Sequence, residues 1–291
     1  MSDTISEVDI KEILSRFDEE TDVYQRDAVE KALSCRHELT PHLIKIFETL
    51  ADNPLIYSLE RHNGHVYAAA LLAHFEETAA HLPLIRAFSI PKEQLDDLWG
   101  DMTTETLPTL LCRTCGGSLE AIKELAANRT VSEFVRSAAS GALSYMVVLQ
   151  PSRRDEVVGF LQGLFTGEEA EDGSYFWSYL AGTLCDLHPG ESMEILRRAN
   201  EAGRIHHDFI SWEDIEEDNT RSREIAEERL RAKVARRLPV DVHGYIGWFA
   251  GWKKEEPASP PPPRTKEQKT KKTRRVKHKY KTGKKPGKKK R

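Results

Sequence analysis

The sequence predicts an all-α fold, an α-solenoid of about five to six stacked helical hairpins ahead of a disordered basic tail. Three observations predict it. Apolar residues recur every 36 positions, in one series at Leu71, Leu107, Leu143 and Tyr179 and in a second at Ile85, Ala121, Val157 and Met193. Turn-forming residues separate the two series in each unit, as helical hairpins require. Nothing from 1 to 238 shows the alternation of a half-buried strand.

The elements follow in order. Residues 6–18 carry Val8, Ile10, Ile13, Leu14 and Phe17 at helical spacing, and a second helix carries Ala28, Val29, Ala32 and Leu33. A third is predicted to start at Thr40-Pro41, because proline suits a first helical turn, and to carry Leu43, Ile44, Ile46, Phe47 and Leu50. Asn53-Pro54 and Asn63-Gly64 mark turns.

The clearest repeats span 65–202. In the first unit Tyr67, Leu71, Leu72 and Phe75 make one stripe, and Leu84, Ile85 and Phe88 the next. In the second, Leu107, Leu110 and Leu111 precede a Gly116-Gly117 turn, and Ile122 and Leu125 follow it. The third runs from Ala138, Ala142, Leu143 and Met146 through Pro151 to Val157, Val158, Phe160, Leu161 and Leu164. The fourth runs from Phe176, Tyr179, Leu180 and Leu184 through His188-Pro189-Gly190 to Met193, Ile195 and Leu196.

Ser211-Trp212-Glu213-Asp214-Ile215 reads as a capped helix start. The last helix, roughly 220–238, offers only Ile225, Leu230 and Val234 as inward residues, and a polar final helix closes the open end of a solenoid. Beyond Pro239 come Tyr245, Ile246, Trp248, Phe249 and Trp252, then Pro257 and Pro260 to Pro263, a stiff spacer. The organisation expected is a helical-repeat domain over 1–238, an aromatic and Pro-rich linker over 239–263, and a disordered Lys/Arg-rich tail over 264–291.

The formal net charge of −4 conceals a segregation. From Lys253 to Arg291, 14 Lys and 4 Arg stand against three Glu, a balance of +15, and the preceding 252 residues hold −19. An acidic body precedes a basic tail, and each is read separately.

Four cysteines, Cys35, Cys112, Cys115 and Cys185, form no disulfide framework in a chain of 291 residues and suit a reducing compartment. The N-terminus, MSDTISEVDIKEIL, has no apolar core of a signal peptide, and stretches such as VYAAALLAHF are too short to span a bilayer. The expectation is a cytoplasmic protein without membrane insertion.

The segments YAAALLAHFEETAAHLPLIRAFS, GDMTTETLPTLLCRTCGG, FVRSAASGALSYMVV, SYFWSYLAGTLCDLHP and FISWEDIE resemble the DUF1186 family over roughly residues 20 to 235. The resemblance implies a bacterial protein built from HEAT-like helical repeats. That family's function is unknown, so the resemblance transfers no catalytic residue. Many of its members end in a cysteine-rich zinc motif of the SEC-C type. This chain has no cysteine after Cys185 and ends in the basic tail instead.

Candidate chemistry is sparse. Cys112-Arg-Thr-Cys115 is a CxxC, but zinc needs four ligands and no second pair follows, so core or turn cysteines are the simpler reading. His74, Glu77 and His81 would share a face on a continuous helix and could then hold a metal, although Pro83 points to a helix end nearby. His206, His207 and Asp208 precede the run Glu213, Asp214, Glu216, Glu217 and Asp218, which reads as a solvated acidic rim more readily than as acid–base machinery. No phosphate loop and no Gly-x-Ser-x-Gly elbow occurs. No catalytic residue, metal or cofactor is assigned.

Binding signals are stronger. Tyr175, Phe176, Trp177 and Tyr179 put more aromatics on one helix than a single face can bury. Tyr175 and Trp177, with Trp212, Trp248 and Trp252, are the expected contacts to a protein partner. In the tail, Lys271, Lys272, Arg274, Arg275, Lys277, Lys279, Lys281, Lys284, Lys285, Lys288, Lys289, Lys290 and Arg291 form a polyanion-binding set suited to RNA, DNA or a ribosome. The expected function is a non-catalytic interaction or scaffold protein. The alternatives are an enzyme on a HEAT-like scaffold, a reading by fold analogy alone, or a module in which the tail covers its own acidic body.

Overall fold

In the computed structural model the described residues are 7–19, 23–60, 62–238 and 241–249, the last three without side chains. They form 17 α-helices and three short 3-10 turns, with no strand among them. The fold class is all-α, as the 3.6-residue spacing of the apolar positions predicts.

The first four helices are α1 (Glu7–Asp18), α2 (Arg26–Ser34), α3 (Arg36–Asp52) and α4 (Pro54–Leu59). Ile10, Ile13 and Phe17 are the inward face of α1, whereas Val8 is 73% exposed. Helix α3 starts before Pro41 and not at it. Leu39 is fully buried, and Arg36 donates to the carbonyl of Phe75 at 2.5 Å, so tertiary contacts hold the turn that the proline weakens. Pro54 sits in the first turn of α4, where its missing N–H costs nothing.

Four helix–turn–helix hairpins follow along the chain: α5 (Gly64–His74) then α6 (His81–Phe88), α9 (Leu107–Thr114) then α10 (Glu120–Ala127), α11 (Glu133–Leu149) then α12 (Arg154–Gln162), and α13 (Phe176–Asp186) then α14 (Met193–Glu201). Packing runs across units as well, with α6 on α3 and α10 on α11. Two short helices, α7 (Lys92–Trp99) and α8 (Met102–Glu105), lie between the first hairpin and the second. Their signal is Trp99, which stacks on Phe88 at 4.0 Å and donates its indole N–H to Ala87.

The first helices of the hairpins pack in succession, α5 on α9, α9 on α11 and α11 on α13. The ends of equivalent helices advance by 35 to 40 residues, so the 36-residue period is an average. It holds well for the first series, where Leu71, Leu107 and Leu143 are fully buried. It drifts in the second, where Ile85, Ala121 and Met193 are only half-buried and Leu84, Ile122 and Leu196 point inward instead.

Hydrogen bonds between neighbouring units show a tighter spacing. Contacts 33 residues apart join His65 to Leu98, His81 to Thr114, Gly117 to Gln150, Lys123 to Glu156, Arg136 to Glu169, Arg154 to Leu187, Tyr175 to Asp208 and His188 to Arg221. Several place a donor near a helix start against a free carbonyl at the end of a helix one unit on. Buried Arg154, for example, donates to Leu187, which caps α13.

The hairpin turns use positive φ where the sequence marks them. Gly116 and Gly117 have φ of 59° and 85°, and His188 has 72°. By contrast, Gly159 lies on the exposed side of α12, and an added Cβ would meet nothing within 4 Å. Gly159→Ala is therefore expected to raise stability by about 0.5–1 kcal/mol through helix propensity, read as a shift in the urea midpoint at constant slope.

The C-terminal elements depart from expectation. Helix α15 (Trp212–Thr220) has the predicted capping box between Ser211 and Asp214. Helix α16 (Arg223–Arg237) does not merely close an end. It packs on α11 and α13, and α17 (Val242–Phe249) packs on α5, near the other end of the stack. The inward residues of α16 are Ala226, Leu230 and Val234, while Ile225 is 47% exposed. Helix α5 is buried on every side because α3, α9 and α17 all cover it, which accounts for its uniformly apolar sequence.

Candidate functional site

A cleft of about 350 Å³ lies where α16 crosses the exposed faces of α11 and α13. Its floor is built by two helical stripes. Ser137, Gly141 and Tyr145 are spaced by four along α11, and Tyr179, Gly182 or Thr183, and Asp186 follow by three or four along α13. The glycines supply the depth. Thr104 and Pro108 close one side, Phe209 another, and Lys233 and Arg237 of α16 form the roof.

Charge in the cleft is balanced. Lys233 pairs with Asp186 at 2.5 Å, and Arg237 pairs with the side chain of Glu105 and also donates to its backbone carbonyl. The carbonyl of Arg237 accepts from Thr109, which fixes the end of α16 against α9. Burial pushes the Tyr145 phenol up to about 12 and also raises that of Tyr179, so both are neutral hydroxyl groups. Neither phenol hydrogen-bonds to a described residue. Ser137 is 5% exposed, and its hydroxyl has no hydrogen-bond partner among the described residues. The Tyr179 and Phe209 rings are 4.5 Å apart and make an aromatic wall, with Phe209 42% exposed.

Of the residues expected to meet a protein partner, the structure brings only one near this wall. Tyr175 stacks on His206 at 4.4 Å and donates to Asp208 at 3.1 Å. Trp177 is not a surface residue. It is 2% exposed, its indole donates to Glu169, and the Arg204 guanidinium lies over its ring. Glu169 also accepts from Thr166 and Gly167, and these bonds outweigh the upward push of burial and hold its carboxyl below the ordinary range. Trp212 is half-buried against the core at the start of α15. The side chain of Trp248 and residues 250–291, which hold Trp252, Pro257 and Pro260 to Pro263 of the expected linker and the basic tail, lie outside the described residues, whereas 242–249 of that expected linker form α17.

The metal candidates are spread apart. Helix α5 ends at His74, and the chain then turns through Glu76 at φ 52°. Glu77 caps the following 3-10 turn and His81 begins α6, so no continuous helix aligns the three. The thiols of Cys112 and Cys115 are buried and donate to Ala142 and Cys112 carbonyls. Burial raises both pKa values, the wrong direction for a thiolate ligand or nucleophile. In the acidic run, Glu213, Asp214, Glu216 and Glu217 are exposed, whereas Asp218 is half-buried and pairs with Arg221 and Arg229.

The cleft residues Ser137, Tyr145, Asp186, Lys233 and Arg237 escape sequence reasoning because they come from three helices and form no local motif. The one available signal is the stripe of small and hydroxyl side chains at Ser137, Gly141 and Tyr145 in an otherwise apolar helix. The cationic partners come from α16, whose packing position the sequence does not announce.

The comparisons with known proteins identify a family and are silent on activity. A family model described as "Protein of unknown function (DUF1186)" matches residues 8–251. An uncharacterized protein of Chlamydia trachomatis serovar D is 31% identical over 210 residues, covering 72% of this chain and 83% of the relative. An uncharacterized protein of Chlamydia muridarum is also 31% identical over 210 residues, covering 72% and 84%. No solved structure matches. No helix among the described residues is long and apolar enough to cross a membrane.

Proposed function

The chain belongs to the DUF1186 family, and from that premise we propose that it is a non-catalytic interaction protein, whose helical body receives a protein partner and whose basic tail contacts RNA, DNA or another polyanion. The observation that carries the reading is the charge segregation: 16 Lys and Arg against one Glu between Arg264 and Arg291, following an acidic body. Such a segment gains affinity by releasing counterions from a phosphate backbone, with little sequence preference.

Support for the body's part comes from α16 and α17. The exposed faces of the first hairpin helices already accept helices of this same chain, so the surface has the shape and chemistry of a helix acceptor. An enzyme is the weaker reading, because the cleft carboxylate, Asp186, is held by Lys233 and accepts from none of the described cleft hydroxyls.

The test keeps the full chain. Lys271, Lys272, Arg274, Arg275, Lys284 and Lys285 are replaced by glutamine, and retention on heparin and RNA is compared with the natural sequence. Binding of the natural protein should fall by about a thousandfold or more between 50 and 200 mM salt if six or more phosphates are neutralised. The substituted chain should elute at much lower salt with unchanged helicity. Equal retention of the two proteins refutes the role of the tail. A rise in partner binding on substitution favours the tail as a cover for the acidic body.

A further inference from the structure

We propose that the cleft under α16 binds a small zwitterion with an aromatic side chain, of the α-amino acid class. This site goes beyond the interaction role and does not depend on the tail.

Size comes first. The volume of about 350 Å³ lies at the small end of the range for ligand sites, and small floor residues at Ala138, Gly141 and Gly182 create it. Charge decides the class. Two cations and one carboxylate, Asp186, line the cleft, and each cation is already paired, Lys233 with Asp186 and Arg237 with Glu105 beside the lining. A phosphate or another multiply charged anion would have to strip both carboxylates from their partners. A zwitterion instead extends the existing pattern. Its carboxylate joins Lys233 and Arg237, which lie one turn apart on α16, and its ammonium joins Asp186.

Donor capacity for this exists. Lys233 spends one of its three N–H groups on Asp186, and Arg237 uses only Nη1 on Glu105. Oδ1 of Asp186 accepts from no described residue. The aromatic part follows from the wall of Tyr179 and Phe209, whose tilted rings leave Phe209 open to the cleft. Ser137 is the independent sign of a ligand: a buried hydroxyl facing the cleft, with no hydrogen-bond partner among the described residues.

Isothermal titration calorimetry on the full-length protein tests this, with L-phenylalanine as the probe. Phenethylamine lacks the carboxylate, 3-phenylpropionate lacks the ammonium, and glycine lacks the ring. Each should bind about tenfold or more weakly, the size expected for one lost charge-assisted contact or for the lost aromatic face. Ser137→Ala should weaken L-phenylalanine several-fold. Gly182→Leu is the blocking variant. A Cβ there meets only Phe209 at 3.9 Å, so the helix tolerates it while the side chain fills the cleft. It should abolish binding without lowering the melting temperature. Absence of heat with L-phenylalanine at millimolar concentration overturns the proposal. So does equal binding of the singly charged analogues, or binding that survives Gly182→Leu.

Discussion

Acidification from neutrality to pH 4 is expected to remove about 2–3 kcal/mol of stability at each of two histidines, His65 and His81. Burial lowers both pKa values from 6.5 to about 4. The unfolded chain therefore takes up these protons first. The contribution is complete above about pH 6.5 and disappears as the pH falls toward 4.

The cause is visible at His81. Thr114 donates its hydroxyl to Leu110, so its oxygen must accept the Nδ1–H of His81. Nε2 of His81 is then buried with no partner among the described residues, and a second proton finds no acceptor there. At His65, Nε2 donates to Leu98, and the Tyr57 and Trp99 rings meet the imidazole edge-on. His62 works in the opposite direction. Hydrogen bonds to Glu60 and Asp18 overcome its partial burial and raise its pKa, so its stabilisation is present at low pH and is lost as pH rises through that value.

Urea midpoints of the natural chain and His81→Gln at pH 7, 5.5 and 4 check the assignment. The glutamine can still donate to Thr114 but cannot titrate, so its curve should fall less steeply. Parallel curves would show that His81 is not the group responsible.

Ile246→Asp is expected to detach α17 and leave the hairpins folded. Ile246 is fully buried and Val242 is 6% exposed, both against the small side chains of α5. His243 completes the attachment. Its Nε2 donates to Glu30 at 2.9 Å, and its Nδ1 accepts from the Tyr24 hydroxyl at 2.7 Å. A carboxylate placed at 246 has no cationic partner in prospect, and burying it costs several kcal/mol. An eight-residue helix docked through one face cannot hold against that. Hydrogen exchange should show α17 amides losing protection by about a hundredfold or more while α11 keeps its own. Retained protection in α17, or loss throughout the chain at once, would contradict a separable C-terminal clasp.

The parts of the fold that were legible are those where one residue type has one purpose. Leu71, Leu107 and Leu143 announce buried helix faces, Gly116-Gly117 a turn, and Ser211 with Asp214 a cap. Tertiary burial hid the rest. Trp177 reads as a surplus aromatic because the sequence cannot show that Glu169 and Arg204 fold over it. Helix α16 reads as solvent-facing because its buried set is only Ala226, Leu230 and Val234. Its route across the stack comes from pairs such as Arg237 with Glu105, 132 residues apart. The cleft shares that obscurity, since both its cations, Lys233 and Arg237, arrive from so far along the chain.

The hydrogen bonds spaced by 33 residues also constrain how such a chain can change in length. A single residue inserted inside α12 would rotate the rest of that helix by about 100° and misalign contacts such as that of Gln162 with Ser192. A whole hairpin inserted at a turn such as 188–190 would bring its own donors and acceptors and leave the spacing on either side intact. Growth by duplication of complete units is thus tolerated until α17 no longer reaches α5, so the clasp acts as a ruler that fixes the number of hairpins.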